Sequence, residues 1–125
     1  MATKKISKKE TGLGKVYISA SFNNTLVTVT DAKGDTLAWN SSGMAGFKGT
    51  RRATPYAATT AVERVIEKCK NDFGVDEVEI YVKGPGPGRD AALRAIRGSG
   101  IKISLIADIT PVPHNGPRPK KKRRV

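Results

Sequence analysis

The sequence is poor in the residues on which most catalytic and metal sites are built. It has one histidine, His114, and one cysteine, Cys69. A single histidine leaves a histidine-based triad or a histidine metal cluster without its parts. A single cysteine excludes an internal disulfide and fits a reducing compartment. Long apolar runs are missing too: none approaches the ~18 residues of a membrane-crossing helix. The first residues are polar and lack the apolar stretch of a secretion signal, so a cytosolic protein with no membrane partner and no cofactor is expected. Acidic residues are scarce, 11 against 23 lysines and arginines, for a net charge of +12 in 125 residues. No internal repeat is visible, and the length fits one domain.

The charge is gathered at the ends. Residues 117–125 hold six cations, Arg118, Lys120, Lys121, Lys122, Arg123 and Arg124, and no acid. Residues 1–14 hold four lysines against Glu10, which leaves residues 15–116 a surplus of only +3. A solvated surface does not require charge collected at the termini. Concentrated positive charge points to a polyanion, most often nucleic acid. Prolines at 111, 113, 117 and 119 bias the last segment toward an extended form. The expected organisation is a basic arm over 1–14, one body over 15–110 and an extended tail over 111–125.

Within the body, "KVYISASF" alternates, with Val16, Ile18, Ala20 and Phe22 on one face, as a strand requires. Asn23-Asn24 marks a turn, because asparagine tolerates positive φ. "TLVTVT" and "TLAWN" follow as strands joined by "DAKGD", which gives an antiparallel meander. After a glycine-rich basic loop, Thr54-Pro55 opens a helix as N-cap and first helical residue. Ala58, Ala61, Val62, Val65, Ile66, Cys69 and Phe73 form its apolar stripe, and Gly74 ends it. On that stripe Cys69 reads as a buried, inert thiol. "EVEIYV" is a fourth strand with Val78, Ile80 and Val82 inward. "RDAALRAIR" is a short helix with Ala92, Leu93 and Ile96 as its apolar side, and "IKISLIADI" a fifth strand. The order β-β-β-α-β-α-β, with two helical crossovers, predicts an α/β fold: a mixed five-stranded sheet with packed helices.

Two loops carry candidate chemistry. "KGPGPGR" lies between a strand and a helix, where phosphate loops sit. It matches neither the dinucleotide fingerprint nor the Walker loop, and Pro85 and Pro87 remove two backbone donors. It reads either as a stiff structural turn or as a phosphate site. In the second reading, which is the expectation carried forward, the N–H groups of Gly86, Gly88 and Arg89 face one phosphate and Arg89 adds a charged fork. "GFKGTRR" places Lys48, Arg51 and Arg52 beside Phe47. That suits a backbone groove with a stacking platform, and equally a core-capping Phe47 under an exposed basic loop. His114 orders a turn or touches RNA. Asn23, Asn24, Arg94, Arg97 and Asn115 complete the candidate RNA-binding set with the six tail cations. Asn115-Gly116 is also a modification candidate, because glycine does not hinder attack of its nitrogen on the asparagine carboxamide.

"LRAIRGSGIKISLIADITPVPH" resembles the signature of small-subunit ribosomal protein eleven, bacterial type. "SFNNTLVTVTD", "GFKGTRRATPYAA" and "VKGPGPGR" resemble its other blocks in the same order, over about residues 12–125. The family's usual "HNGCRPPKRRRV" stands here as "HNGPRPKKKRRV", with Pro117 for cysteine and Lys120 for proline, and the arm before Gly12 is short. The resemblance implies a ribonuclease-H-like sheet in the order 3-2-1-4-5. The metal-holding acids of enzymes of that fold are missing from the first strand and from the end of the fourth, which implies that only the scaffold is shared. It also implies a ribosomal role: on the small-subunit platform, bridging ribosomal RNA helices and lining the cleft near the messenger's Shine–Dalgarno duplex. Implied neighbours are platform proteins seven and eighteen and initiation factor three. The implied location is the ribosome of the cytoplasm, or of a plastid for an organelle-encoded copy. Two rival classes have local support only: a nuclear cargo or DNA-binding protein from "PKKKRRV", and a phosphotransfer enzyme from "KGPGPGR".

Overall fold

Alternation in the first three strands has a physical destination, since every second residue meets the same helical layer. The chain, seen in a computed structural model, is described over residues 12–44, 46, 49, 51 and 54–122. Its elements are β1 (Leu13–Ala20), β2 (Thr25–Asp31), β3 (Thr36–Ser41), α1 (Pro55–Phe73), β4 (Glu77–Lys83), α2 (Gly88–Gly98) and β5 (Lys102–Asp108). The sheet order is β3-β2-β1-β4-β5. Tight turns make β1, β2 and β3 antiparallel, and the helical crossovers make β4 parallel to both β1 and β5.

Register assembles the core. Val16 pairs with Val29 and Ile80, and Ile18 with Val27 and Val82. All six are at most 1% exposed. The α1 stripe, Ala58, Ala61, Val62, Val65, Ile66 and Cys69, lies buried on this row, and Ala92 and Ile96 of α2 join it. Each of the larger side chains contributes about 1.5–3 kcal/mol by leaving water. The helices pack on one another and on the sheet. Thr54 is the N-cap of α1: its extended backbone lets Oγ1 accept the Ala57 N–H at 3.3 Å. Gly74 ends α1 in the left-handed region at φ 65°. Lys70 of α1 donates from Nζ to the Ser99 carbonyl at 2.9 Å, tying α1 to the end of α2.

Three expectations are corrected. Strand β1 begins at Leu13, so the boundary placed at residue 14 falls inside it. The Gly12 carbonyl already accepts the N–H groups of Asp76 and Glu77 at 3.0 Å each. Phe22, placed on the inward face with Val16, Ile18 and Ala20, is 70% exposed, because β1 ends at Ala20 and the chain turns before reaching it. The Asn23-Asn24 turn forms without positive φ; among the described residues the only non-glycine there is Asn115, at φ 63°. Its cause is Ser21, whose Oγ accepts the Asn24 N–H at 3.1 Å, together with Asn24 Oδ1, which accepts the Thr25 N–H at 2.8 Å. As the order 3-2-1-4-5 implies, β5 is a sheet edge, and Leu105 and Ile106 are exposed on it.

The face of the sheet away from the helices carries a different set. Trp39, Thr28, Tyr17, Tyr81 and Ala107 stand in register across all five strands. Tyr17 and Tyr81 stack with centroids 5.3 Å apart and planes 19° from parallel.

Candidate nucleic-acid interface

One rim of the sheet collects segments that are far apart in sequence. Ala20 of β1 pairs with Thr25 at the start of β2, and Leu26 pairs with Ser41 at the end of β3. Ser19 pairs with Lys83 at the end of β4, and Val82 with Asp108 at the end of β5. The Asn23-Asn24 turn, the loop leaving Ser41, the "KGPGPGR" loop and the exit of the tail therefore share one edge. Both helices begin there: a Cβ at Gly88 would lie 2.9 Å from Ala58 Cβ, near the first turn of α1. The carboxyl ends of parallel strands, with helix N-termini beside them, are where α/β sheets place ligands.

Arg51 is exposed on this rim, and its carbonyl accepts from Thr54 Oγ1 at 2.8 Å. In their turn Asn23 is exposed and Asn24 half-buried. His114, Asn115, Arg118, Lys120, Lys121 and Lys122 are all exposed along the tail. Phe47, Lys48, Arg52, Arg123 and Arg124 lie outside the described residues, as does the arm before Gly12. Arg94 is elsewhere: it lines a groove of about 610 Å³ between the two helices, with Tyr56, Glu63, Glu67 and Lys70. Arg97 is exposed near the far end of α2, nine residues from Gly88 and so roughly 13 Å from the rim.

The "KGPGPGR" loop is built inward, which corrects the backbone part of the phosphate reading. The Gly86 N–H donates to the Ala20 carbonyl at 2.9 Å, and the Arg89 N–H reaches back to the Gly86 carbonyl at 3.3 Å. A Cβ at Gly86 would overlap the Ser21 carbonyl, and one at Gly88 the Thr25 hydroxyl. Gly88 is itself buried. Glycine is needed here because the Ser21–Thr25 segment crosses against the loop. The Arg89 fork is also engaged within the chain. Its Nη2 meets Asp108 Oδ2 at 2.9 Å, and Nη1 donates to the Gly84 carbonyl at 3.1 Å. Hydrogen bonds from Thr110 and Arg89 hold the Asp108 carboxyl well below the usual carboxylate range.

The sequence reading missed Ser21, Thr25, Asp108 and Thr110. No local signal marks them, since Asp108 is 19 positions from Arg89 and only the parallel β4–β5 pairing brings the two together. Cys69 is buried in the core, and burial pushes its thiol up to about 11, with Lys68 opposing and Asp72 adding to the shift. It is protonated and inert at neutral pH. Among the described residues no group of three His, Cys, Asp or Glu side chains is placed to hold a metal ion. No helix among them is long and apolar enough to cross a membrane.

Residues 14–124 match the family model described as ribosomal protein S11. The small ribosomal subunit protein uS11 of Borreliella burgdorferi (strain ZS7) is 54% identical over 123 residues, covering 98% of this chain and 94% of the relative. Small ribosomal subunit protein uS11 of Nitratidesulfovibrio vulgaris (strain DSM 19637 / Miyazaki F) is 53% identical over 122 residues, covering 98% and 94%. Small ribosomal subunit protein uS11c of Pinus thunbergii is 59% identical over 112 residues, covering 90% and 85%.

Proposed function

The chain belongs to the ribosomal protein S11 family, and from that premise we propose that it holds ribosomal RNA by two distinct means, a rigid rim and an extended tail. As a member of the family it is a structural constituent of the small ribosomal subunit, acts in translation within the ribosome and is not an enzyme. The observation that carries the proposal is the convergence of Asn23, Asn24, Arg51 and the tail exit on one rim, with the exposed cations Arg118, Lys120, Lys121 and Lys122 projecting from it. The tail cations and Arg51, with Lys48 and Arg52 of the same loop, neutralise phosphates and position the body on RNA. His114 and Asn115 add polar contacts at the root of the tail. Arg94 and Arg97, away from the rim, reach a second RNA segment, which makes the body a bridge between RNA helices.

The setting proposed for these contacts is the platform of the small subunit. There the chain adjoins platform proteins seven and eighteen, lies near initiation factor three, and lines the cleft that receives the messenger's Shine–Dalgarno duplex. In this reading the tail, residues 111–125, is ordered by RNA, and its prolines reduce the conformational freedom lost when it binds. Hydroxyl-radical footprinting of the full chain on small-subunit ribosomal RNA tests the proposal. The expected result is two separated protected segments, one of which disappears when the tail cations are replaced by glutamine. A single protected segment, indifferent to those replacements, rejects it.

A further inference from the structure

Where the tail leaves the body, five polar links close within a few residues. Arg89 bonds Asp108 and the Gly84 carbonyl, as described above. The Gly84 N–H donates to Thr110 Oγ1 at 3.1 Å. Thr110 returns two bonds to Asp108 Oδ1, from its hydroxyl at 2.6 Å and from its N–H at 3.0 Å. Just before them, the Ile109 N–H continues the sheet ladder to the Val82 carbonyl at 2.8 Å. The first turn of α2, the glycine loop after β4, the last residue of β5 and Thr110, two residues on, are thus locked to each other. Pro111 and Pro113 follow at once, and proline fixes φ, so a direction set at Thr110 is carried outward. Beyond Pro113 the chain bends at Asn115, φ 63°, so the direction set at Thr110 decides where that bend and the cations after it are placed.

We propose that the Arg89–Asp108–Thr110 junction is a positioning device that sets the direction in which the basic tail departs, and that Arg89 acts on RNA through the tail. This rests on the reading of the tail as a phosphate-binding segment. Each terminal nitrogen of Arg89 donates one bond within the chain and Asp108 balances its charge, so the fork is held in place and a phosphate would find only its remaining N–H groups. Asp108 is an acid on a rim that also presents cations, and its place there is explained by the junction: it orients both Arg89 and Thr110. The low proton affinity of its carboxyl keeps the junction charged at neutral pH.

The test is a coupling measurement with a transcript of small-subunit ribosomal RNA as the probe. Asp108→Asn, Arg89→Gln and Thr110→Val are each made in the full chain, and again in a full-length chain whose six tail cations are glutamine. Asp108 and Thr110 are exposed, so the fold persists in these variants, and thermal melting checks it. Each substitution is expected to weaken binding roughly tenfold with the charged tail, the scale of coupling between neighbouring groups, and to have no effect with the neutral tail. Arg89→Lys, which keeps the charge but loses the fork, is expected to behave as Arg89→Gln does. A different pattern assigns Arg89 to phosphate directly: Asp108→Asn leaves or raises affinity, Arg89→Lys matches the parent, and Arg89→Gln weakens binding with either tail. That pattern overturns the inference. So does a loss on neutralising the tail that is independent of Asp108, and in that case the tail reading stands. If neutralising the tail costs no affinity, the tail reading itself falls and takes the inference with it.

Discussion

Strands β1, β2 and β4 bury alternate residues against two helices, and every one of their inward valines and isoleucines is at most 1% exposed. From Asp108 to Lys122 every residue is exposed. The body owes its conformation to its own burial and backbone bonding. Among the described residues the tail buries no side chain, and the junction at its root ties it to the body. The shape of the body is thus a property of the sequence, whereas in the proposed reading that of the tail is set by its partner. Stability should report on the first and salt-dependent affinity on the second.

Removing residues 117–125 should break that contrast most sharply. Six fewer phosphate contacts flatten the dependence of log K on log salt by about 4 to 5, at roughly 0.7–0.9 per phosphate. The melting temperature should stay within about 4 °C of the parent's, as for a change outside the core. An unchanged slope would mean that the tail cations do not engage phosphate. Gly86→Ala should show the opposite signature. Its Cβ meets the Ser21 carbonyl, so the cost falls on folding, on the order of 3 kcal/mol for overpacking. Melting should drop by more than about 10 °C, and the RNA affinity of the molecules that remain folded should be nearly intact. A variant that melts like the parent but binds weakly would restore the phosphate reading of this loop.

A smaller effect is expected at Asn115. Attack of the Gly116 nitrogen on the Asn115 carboxamide releases ammonia and closes a succinimide. Hydrolysis then opens the ring to isoaspartate, adding one negative charge to the tail. Isoaspartyl methyltransferase labelling followed by mass analysis should find it in aged protein, with a salt slope lower by about 0.7–0.9. Recovery of intact Asn115 alone would count against this. The smallest effect belongs to Cys69. Thiol reagents at neutral pH should leave the native chain unmodified and react once denaturant is added. The folded thiol loses its proton less readily than the unfolded one, so its contribution to stability is complete below pH 9.0 and fades as pH rises toward about 11. Cys69→Val should remove that part of the alkaline loss. Equal alkaline sensitivity in both chains would show that the thiol plays no part in it.

The sequence carried most of the body because its signals are local. Period-two alternation marks β1 and β4. Thr54-Pro55 and Gly74 bracket α1 with a cap and a left-handed residue, and short turns or helical crossovers decide whether neighbouring strands are antiparallel or parallel. The spatial order of the strands came from family resemblance, because nothing local tells β4 to pair beside β1. What stayed hidden depends on contacts between distant segments. The glycines at 86 and 88 look like phosphate-loop glycines until Ser21 and Thr25 are seen pressed against them. Arg89 looks free until the pairing of β4 with β5 delivers Asp108. Phe22 failed for a simpler reason: alternation says which face a residue takes only while the strand lasts, and β1 ends two residues before it.

Trp39 is the only tryptophan in the chain. It stands on the face of the sheet away from the helices, 55% exposed, in register with Tyr17 and Tyr81 and apart from the rim where the tail departs. That position gives the protein a built-in optical reporter. Excited selectively over the tyrosines, a hydrated indole emits to the red, and an apolar covering moves the emission to the blue. RNA held only at the rim and tail leaves the colour of Trp39 unchanged, whereas a protein neighbour seated on the open sheet shifts it. One unlabelled fluorescence titration thus separates the two kinds of assembly step.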